Sequence, residues 1–428
     1  MSSGVAWLSF DAEQQRRTQL MLAALSNQST VDELGLGVIR DLIARELHPG
    51  LTVLHRRAKY LLFIPWDYQR LSSATLKNML QDGRRAEVRT MDALRKHYAG
   101  TENDGDDWGI IGRRQGELVQ QLPSSQYWGL LRQLGILQEP GSVHDFCRRR
   151  VDAAKQRSAR SFLHEEGEVI ESDMSGWSEL PPRGDFKGFN LSRDEAEWMR
   201  QRFLATESDR PDDRTSLVSW LLDPARSTWW TGAALPWQHP ERDSFPEATA
   251  YAMNLGRDLD EFIHSARITY NYLCALSRPD HGEKRDELIV KYRNAMAEWQ
   301  SGPGARLISE PRLTGLNDWA VQALSRNIAP QAARQRWMLT FTFIQSWHQI
   351  AESSTDLLNH PGAADLLRRR ETWLKHGRAR LANVELLRGW QGDAGYSHMD
   401  YNWAIAMLIC RDIHLGLGTT FRDASEVG

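Results

Sequence analysis

The chain has 428 residues, 41% of them hydrophobic and 25% charged, with a formal net charge of -3. That length is generous for a single core and predicts two or more packed subdomains, while the near-neutral charge excludes a uniformly basic nucleic-acid coat. No apolar run approaches the roughly 20 residues that a membrane-spanning helix needs.

The opening residues, MSSGVAWLSFDAEQQRR, lack a basic segment followed by an apolar one and a small-residue cleavage site, so the expectation is a cytoplasmic chain. Ser9 or Asp11 can cap a helix carrying Leu20, Met21 and Leu25, and Thr30 with Glu33 has capping-box spacing before Leu36, Ile39 and Leu42. His48-Pro49-Gly50 stops that pattern. The apolar run from Val53 to Trp66 fits a buried helix or a strand, and is read as a helix. The acidic stretch TENDGDD, Thr101 to Asp107, marks a solvated loop. It is not an EF-hand, because the twelfth position counted from Asp104 is Gln115 where a glutamate is required.

The stretch GRRQGELVQQLPSSQYWGLLRQLGI, Gly112 to Ile136, combines two helical patterns around a break. Leu118, Val119 and Leu122 share one apolar edge, Pro123 interrupts, and Ser124 or Ser125 can cap a second helix carrying Tyr127, Leu130, Leu131 and Leu134 before Gly135. This predicts a unit of helix-turn-helix size, with Arg113, Arg114 and Arg132 as candidates for phosphate contact. In a purely structural reading Tyr127 and Trp128 are core and the arginines are solvated.

Residues 141–160 hold six Lys/Arg against two Asp, and an acidic stretch from Glu165 to Asp173 follows. Leu180-Pro181-Pro182-Arg183-Gly184 then lacks periodicity. The predicted organisation is an N-terminal helical region over 1–160, a linker over 161–190, and a C-terminal helical domain over 191–428. Arg148, Arg149, Arg150, Lys155, Arg157 and Arg160 form a second candidate phosphate patch, and Arg368, Arg369, Arg370, Lys375, Arg378 and Arg380 a third. Such clusters bind phosphate backbones by releasing counterions, and equally form solvated helix faces.

Beyond the linker, Ser192 with Glu195 has capping-box spacing. Trp220, Trp229, Trp230 and Trp237 crowd a Pro-interrupted segment. Leu255, Leu259, Phe262, Ile263, Ala266, Tyr270 and Leu273 form a helical stripe, as do Trp337, Phe341 and Ile344, and Trp403, Met407, Cys410 and Ile413. With no series of alternating strands and no fixed-period repeat, the predicted fold is mainly α and multi-helical. Cys147, Cys274 and Cys410 are too far apart for a zinc knuckle and read as buried thiols. Seventeen tryptophans suit rigid cores or interfaces, and the exposed ones would serve protein contact.

Arg257 and His264 lie seven positions apart, about two helical turns, and so share a helix face. The spacing resembles the arginine-histidine motif of the helical HEPN ribonucleases, in which histidine moves the proton and arginine steadies the phosphate. The bland alternative is a histidine at the edge of a core stripe beside a surface arginine. The chain carries no Walker A loop, GxSxG elbow, HExxH or HxKxxxxD motif. The GxG in Leu34-Gly35-Leu36-Gly37 has Arg40 where a third glycine belongs. No cofactor and no metal is expected.

Several unusual words occur in order: Ala6-Trp7-Leu8-Ser9-Phe10, the run DELGLGVIRD from Asp32 to Asp41, YLLFIPW from Tyr60 to Trp66, and the segment from Gly109 through Gly135. Together they resemble DUF6361, a bacterial family of unknown function, with weaker echoes in Trp177 to Pro182, in His264 to Tyr272 and in the final helix. The family has no agreed catalytic residues to carry over. Where it often has a glycine-alanine stretch after its central histidine, this chain has Ser265-Ala266-Arg267. What the resemblance implies is a setting near helicases and phospholipase D-like nucleases of antiphage defence loci. The expectation is therefore a non-enzymatic accessory subunit that bridges such a helicase or nuclease to DNA or RNA through the phosphate backbone, away from membranes. A metal-independent ribonuclease using Arg257 and His264, and a scaffold that binds no nucleic acid, are the alternatives.

Overall fold

The computed structural model describes residues 33–105, 108–161, 176–206, 215–226, 228–280, 282–309, 315–326 and 331–424, with side chains 157–161, 303 and 309 also left aside. The helix expected after Ser9 or Asp11, the Thr30 cap and the acidic run 165–173 lie outside the described residues. In chain order the elements are α1 Gly37–Leu47, α2 Tyr60–Gln69, α3 Leu76–Tyr98, α4 Pro123–Gln133, α5 Val143–Ser161, α6 Arg193–Ala205, α7 Leu217–Leu221, β1 Thr228–Thr231, α8 Glu247–Leu276, α9 Glu283–Ser301, α10 Pro303–Ser309, α11 Leu316–Arg326, α12 Gln331–Ser353, α13 Pro361–Lys375, α14 Val384–Arg388, α15 Trp403–Leu417 and β2 Thr420–Asp423. The fold is mainly α. Among the described residues the strands are confined to a two-stranded parallel sheet in which Thr228 pairs with Thr420 and Thr231 with Asp423. No described helix is long and apolar enough to cross a membrane.

The chain divides into two compact units, one from residues 1–43 and 254–399, the other from 44–253 and 400–428. These units cut the chain elsewhere than at a linker over 161–190. Residues 176–190 pack within the second unit: Trp66 donates to the Pro181 carbonyl, Arg183 pairs with Asp67 at 3.0 Å, and the Phe189 amide donates to the Tyr98 hydroxyl. Residues 162–175 lie outside the description.

In the second unit the run 53–66 resolves into turns followed by α2, nine of whose ten residues are buried. A helix apolar on every side belongs at a centre, and α2 packs against α3 and α4. The stretch Gly112 to Ile136 forms only one of the two helices expected of it. Residues Gly116–Leu118 make a single 3-10 turn, and Leu118, expected on an apolar edge, is 78% exposed. Gly116, at φ +55°, and Pro123, which opens α4, leave six residues between them, too few to sustain a helix although Val119 among them is buried. Tyr127, Leu130 and Leu131 do form the buried face of α4.

The capping box at α6 forms as expected: Ser192 Oγ accepts from the Glu195 amide at 3.2 Å and Glu195 Oε2 from the Ser192 amide at 2.7 Å. Ser192→Ala removes one of these bonds and is expected to lower stability by about 1 kcal/mol. Urea denaturation checks this, and a midpoint unchanged from that of the parent would contradict the cap's role.

In the first unit α8 is the central helix. Leu259, Phe262, Ile263, Ala266 and Tyr270 are all buried along it, and two tryptophans pin its flanks, Trp299 donating to the Glu261 carbonyl at 2.7 Å and Trp347 to Ser265 Oγ at 2.9 Å. The stripes expected around Trp337 and Trp403 become α12 and α15. All three cysteines are buried and unpaired. Among the described tryptophans only Trp373 is exposed, at 47%, so the aromatic load serves cores and not a broad contact surface.

Candidate active site

The basic stretches come out differently from their appearance in sequence. Arg113 is ion-paired with Asp104, and Arg149 pairs with Glu139 at 2.6 Å while also donating to the Pro140 carbonyl. Arg150 sits over the Phe146 ring and donates to the Gln69 carbonyl, and Arg148 contacts His144 Nδ1 at 3.4 Å. Arg114, Arg132, Arg148 and Lys155 are exposed. The side chains of Arg157 and Arg160 lie outside the described residues. In the third patch three members turn inward. Arg370 donates to the Leu34 and Leu339 carbonyls, and Lys375 and Arg380 pair with Glu33 beneath the Tyr270 hydroxyl. The charges of Lys375 and Arg380 are spent on buried Glu33, remote in sequence, and Lys375 also meets Glu371 within the patch itself.

His264 is where chemistry gathers. On one side of α8 Asp260 and Glu261 lie three and four residues after Arg257, and His264 and Arg267 follow Glu261 at steps of three. Arg257 is not the group that the fold turns toward His264: its Nε and Nη2 both go to Asp258 Oδ1, at 3.0 and 2.9 Å. In its place the segment before α15 brings His398, whose ring stacks on that of His264 with centroids 4.6 Å apart and an interplanar angle of 19°. Tyr396 closes on the same imidazole at 4.9 Å.

Asp260 organises this pair. Its side chain is 0% exposed, and it accepts from His398 Nδ1 at 2.5 Å, from Arg267 Nη1 at 2.6 Å and from the Met399 amide at 2.9 Å. Burial pushes the Asp260 carboxyl up, but the His398 bond, the charges of Arg267 and His398 and the Met399 amide outweigh it and hold the group below the usual carboxylate range. Arg267 in turn donates to the Ser397 carbonyl, tying the loop to the helix.

The two imidazoles are thereby driven apart. For His398 the hydrogen bond to Asp260 is the largest influence, and it raises the ring above the ordinary histidine value against partial burial. His264 is pushed down to about 4 by burial, then by the positive His398 and Arg267. The two rings therefore give up their protons at different pH, His264 below and His398 above the ordinary histidine value. His398, with its side chain 46% exposed and Nδ1 fixed on Asp260, keeps Nε2 for a proton to be donated. His264 Nδ1 is buried with no hydrogen-bond partner. Two titratable groups whose surroundings separate their protonation states form an acid and a base. Among the described residues no group of three or more His, Cys, Asp or Glu is placed to hold a metal ion.

Sequence reasoning found His264 and missed Asp260, Arg267 and His398. A signal existed for the first two, since Asp260 and Arg267 are charges set within an apolar stripe and such residues are seldom buried unless paired. His398, 134 positions from His264 in a loop without periodicity, left none.

No curated protein and no solved structure matches the chain. A family model, described as Family of unknown function (DUF6361), matches residues 1–414, and the chain belongs to that family.

Proposed function

We propose that the protein is a metal-independent ribonuclease whose base is His264 and whose acid is His398. The observation that carries this reading is the stacked pair of His264 and His398, with His398 bonded to buried Asp260 and the surroundings shifting the two rings in opposite directions. RNA contains its own nucleophile, the ribose 2′-hydroxyl. His264 takes the proton of that hydroxyl, the 2′-oxygen attacks phosphorus, and the bond from phosphorus to the 5′-oxygen breaks. His398 Nε2 gives its proton to the departing 5′-oxygen. The products are a 2′,3′-cyclic phosphate and a 5′-hydroxyl, and proton exchange with water, off His264 and onto His398, resets both rings. Asp260 is a positioning residue: it fixes the tautomer of His398 and stabilises its positive form.

The test is incubation of end-labelled single-stranded RNA with the full chain in the presence of a chelator. Cleavage is expected with the parent and is expected to fall about 10²–10⁴-fold in His398→Ala and in His264→Ala. A DNA strand of the same sequence should survive. RNA left intact by the parent, or cut equally by both variants, overturns the assignment.

A second reading is favoured by the exposed Arg132, Arg148 and Lys155 in the other unit. In that reading the protein is an accessory subunit that holds nucleic-acid phosphates for a helicase or a phospholipase D-like nuclease in a bacterial defence setting. It predicts binding without cleavage, falling steeply with salt, and reduced when these three residues are changed to Glu.

A further inference from the structure

Attack on a phosphodiester builds negative charge on the non-bridging oxygens, and a site that speeds it needs a cation aimed there. The arginines of α8 do not provide one: Arg257 is held by Asp258, and Arg267 is buried against Asp260. An exposed cation that shares the Tyr396 ring with His264 is Lys291 of α9, whose Nζ lies 5.1 Å from the ring centroids of both Tyr292 and Tyr396. Tyr396 is the ring that also meets His264, at 4.9 Å. Among the described residues no carboxylate stands within ion-pair distance of Lys291.

The platform under this ammonium is rigid. Tyr292 is buried and donates to the Gly392 carbonyl at 2.5 Å, and its ring meets Tyr396 edge-on at 5.4 Å. Two aromatic faces attract the ammonium without neutralising it, unlike a carboxylate, so it stays available to an anion. The surroundings make that charge necessary. Burial raises the Tyr396 hydroxyl, and the nearby Glu298 and Asp393 raise it further, so carboxylates border the tyrosine and would repel a phosphate.

We propose that Lys291 holds the scissile phosphate, and that the strand it holds is single-stranded RNA. The inference rests on the ribonuclease reading for its substrate. Attack in line with the departing oxygen requires a 2′-oxygen that can swing behind phosphorus, which a flexible strand allows and a stacked duplex resists.

The experiment pairs cleavage of single-stranded RNA with binding of the same sequence carrying 2′-O-methyl groups, which cannot be cut. Lys291→Met is expected to lower kcat/KM for cleavage about 10²-fold, as loss of a transition-state cation does, and to weaken binding of the methylated strand about tenfold. Lys291→Arg should restore most of both, and the thermal midpoint should not move because the side chain is exposed. Cleavage and binding within twofold of the parent in Lys291→Met overturn this inference while leaving the histidine pair standing. A parent that binds but does not cut sinks the ribonuclease reading, and Lys291 then stands or falls on the binding arm. A parent that neither binds nor cuts overturns both.

Discussion

Asp412→Ala is expected to destabilise the protein by about 3–5 kcal/mol, the largest loss of any single substitution considered. Asp412 on α15 accepts from Arg57 Nε and Nη2, both at 2.8 Å, and from the Ala58 amide at 3.0 Å, with the side chains 7% and 3% exposed for Arg57 and Asp412. The guanidinium is sandwiched between Trp108 at 4.6 Å and Phe189 at 4.7 Å. Burial pushes the Asp412 carboxyl up despite the pairing with Arg57 and the Ala58 amide, so desolvation outweighs attraction here. The pair therefore gives little over an apolar pair of similar volume, yet losing one partner strands the other. Alanine leaves a permanent charge in a dry sandwich. The double variant Arg57→Met/Asp412→Leu should recover much of the loss, and that recovery separates a stranded charge from a lost attraction. Urea denaturation of the parent and both variants decides it. A single variant less than about 1 kcal/mol below the parent would show that water already reaches the pair.

Much of the helical architecture was legible because it rests on local rules. The Ser192 box, the stripe from Leu255 to Leu273 and the cysteines set among apolar residues state their structure within a few positions. What failed to show was the destination of charge. Arg113, Arg149, Lys375 and Arg380 read as basic patches because their carboxylate partners, Asp104, Glu139 and Glu33, stand outside the window in which charge is counted. Lys375 and Glu33 are 342 positions apart, and no periodicity connects them. The pairing of His264 with His398 was hidden for the same reason. Spacing along α8 offered Arg257 as the companion of His264, whereas the chain's return brings His398, and a loop histidine leaves no trace of where it will be carried. Leu118 shows the converse failure, an apolar residue that the core leaves exposed while its neighbour Val119 is buried.

The pH dependence of RNA cleavage should show how Asp260 works, and Asp260→Asn should change its shape as well as its height. The base must be free of its proton and the acid must hold one. His264, facing His398, Arg267 and Asp260, loses its proton as pH rises through about 4, so activity rises there. His398, facing Asp260, Arg267 and Glu261, keeps its proton beyond the ordinary histidine value, so activity falls only at a pH above the usual range for that side chain. In Asp260→Asn the carboxylate that raises His398 is gone while Arg267 remains beside the ring. The descending limb should then move to lower pH, since burial and Arg267 act against the charged form and Glu261 is left to favour it. Above the variant's descending limb the loss should approach that of His398→Ala, about 10²–10⁴-fold, with a smaller loss at lower pH, where more of the variant's His398 still carries its proton. Single-turnover rates from pH 4 to pH 9 test this. A uniform loss at every pH would assign Asp260 to holding the fold together, because a residue that only supports structure removes active molecules without moving either limb.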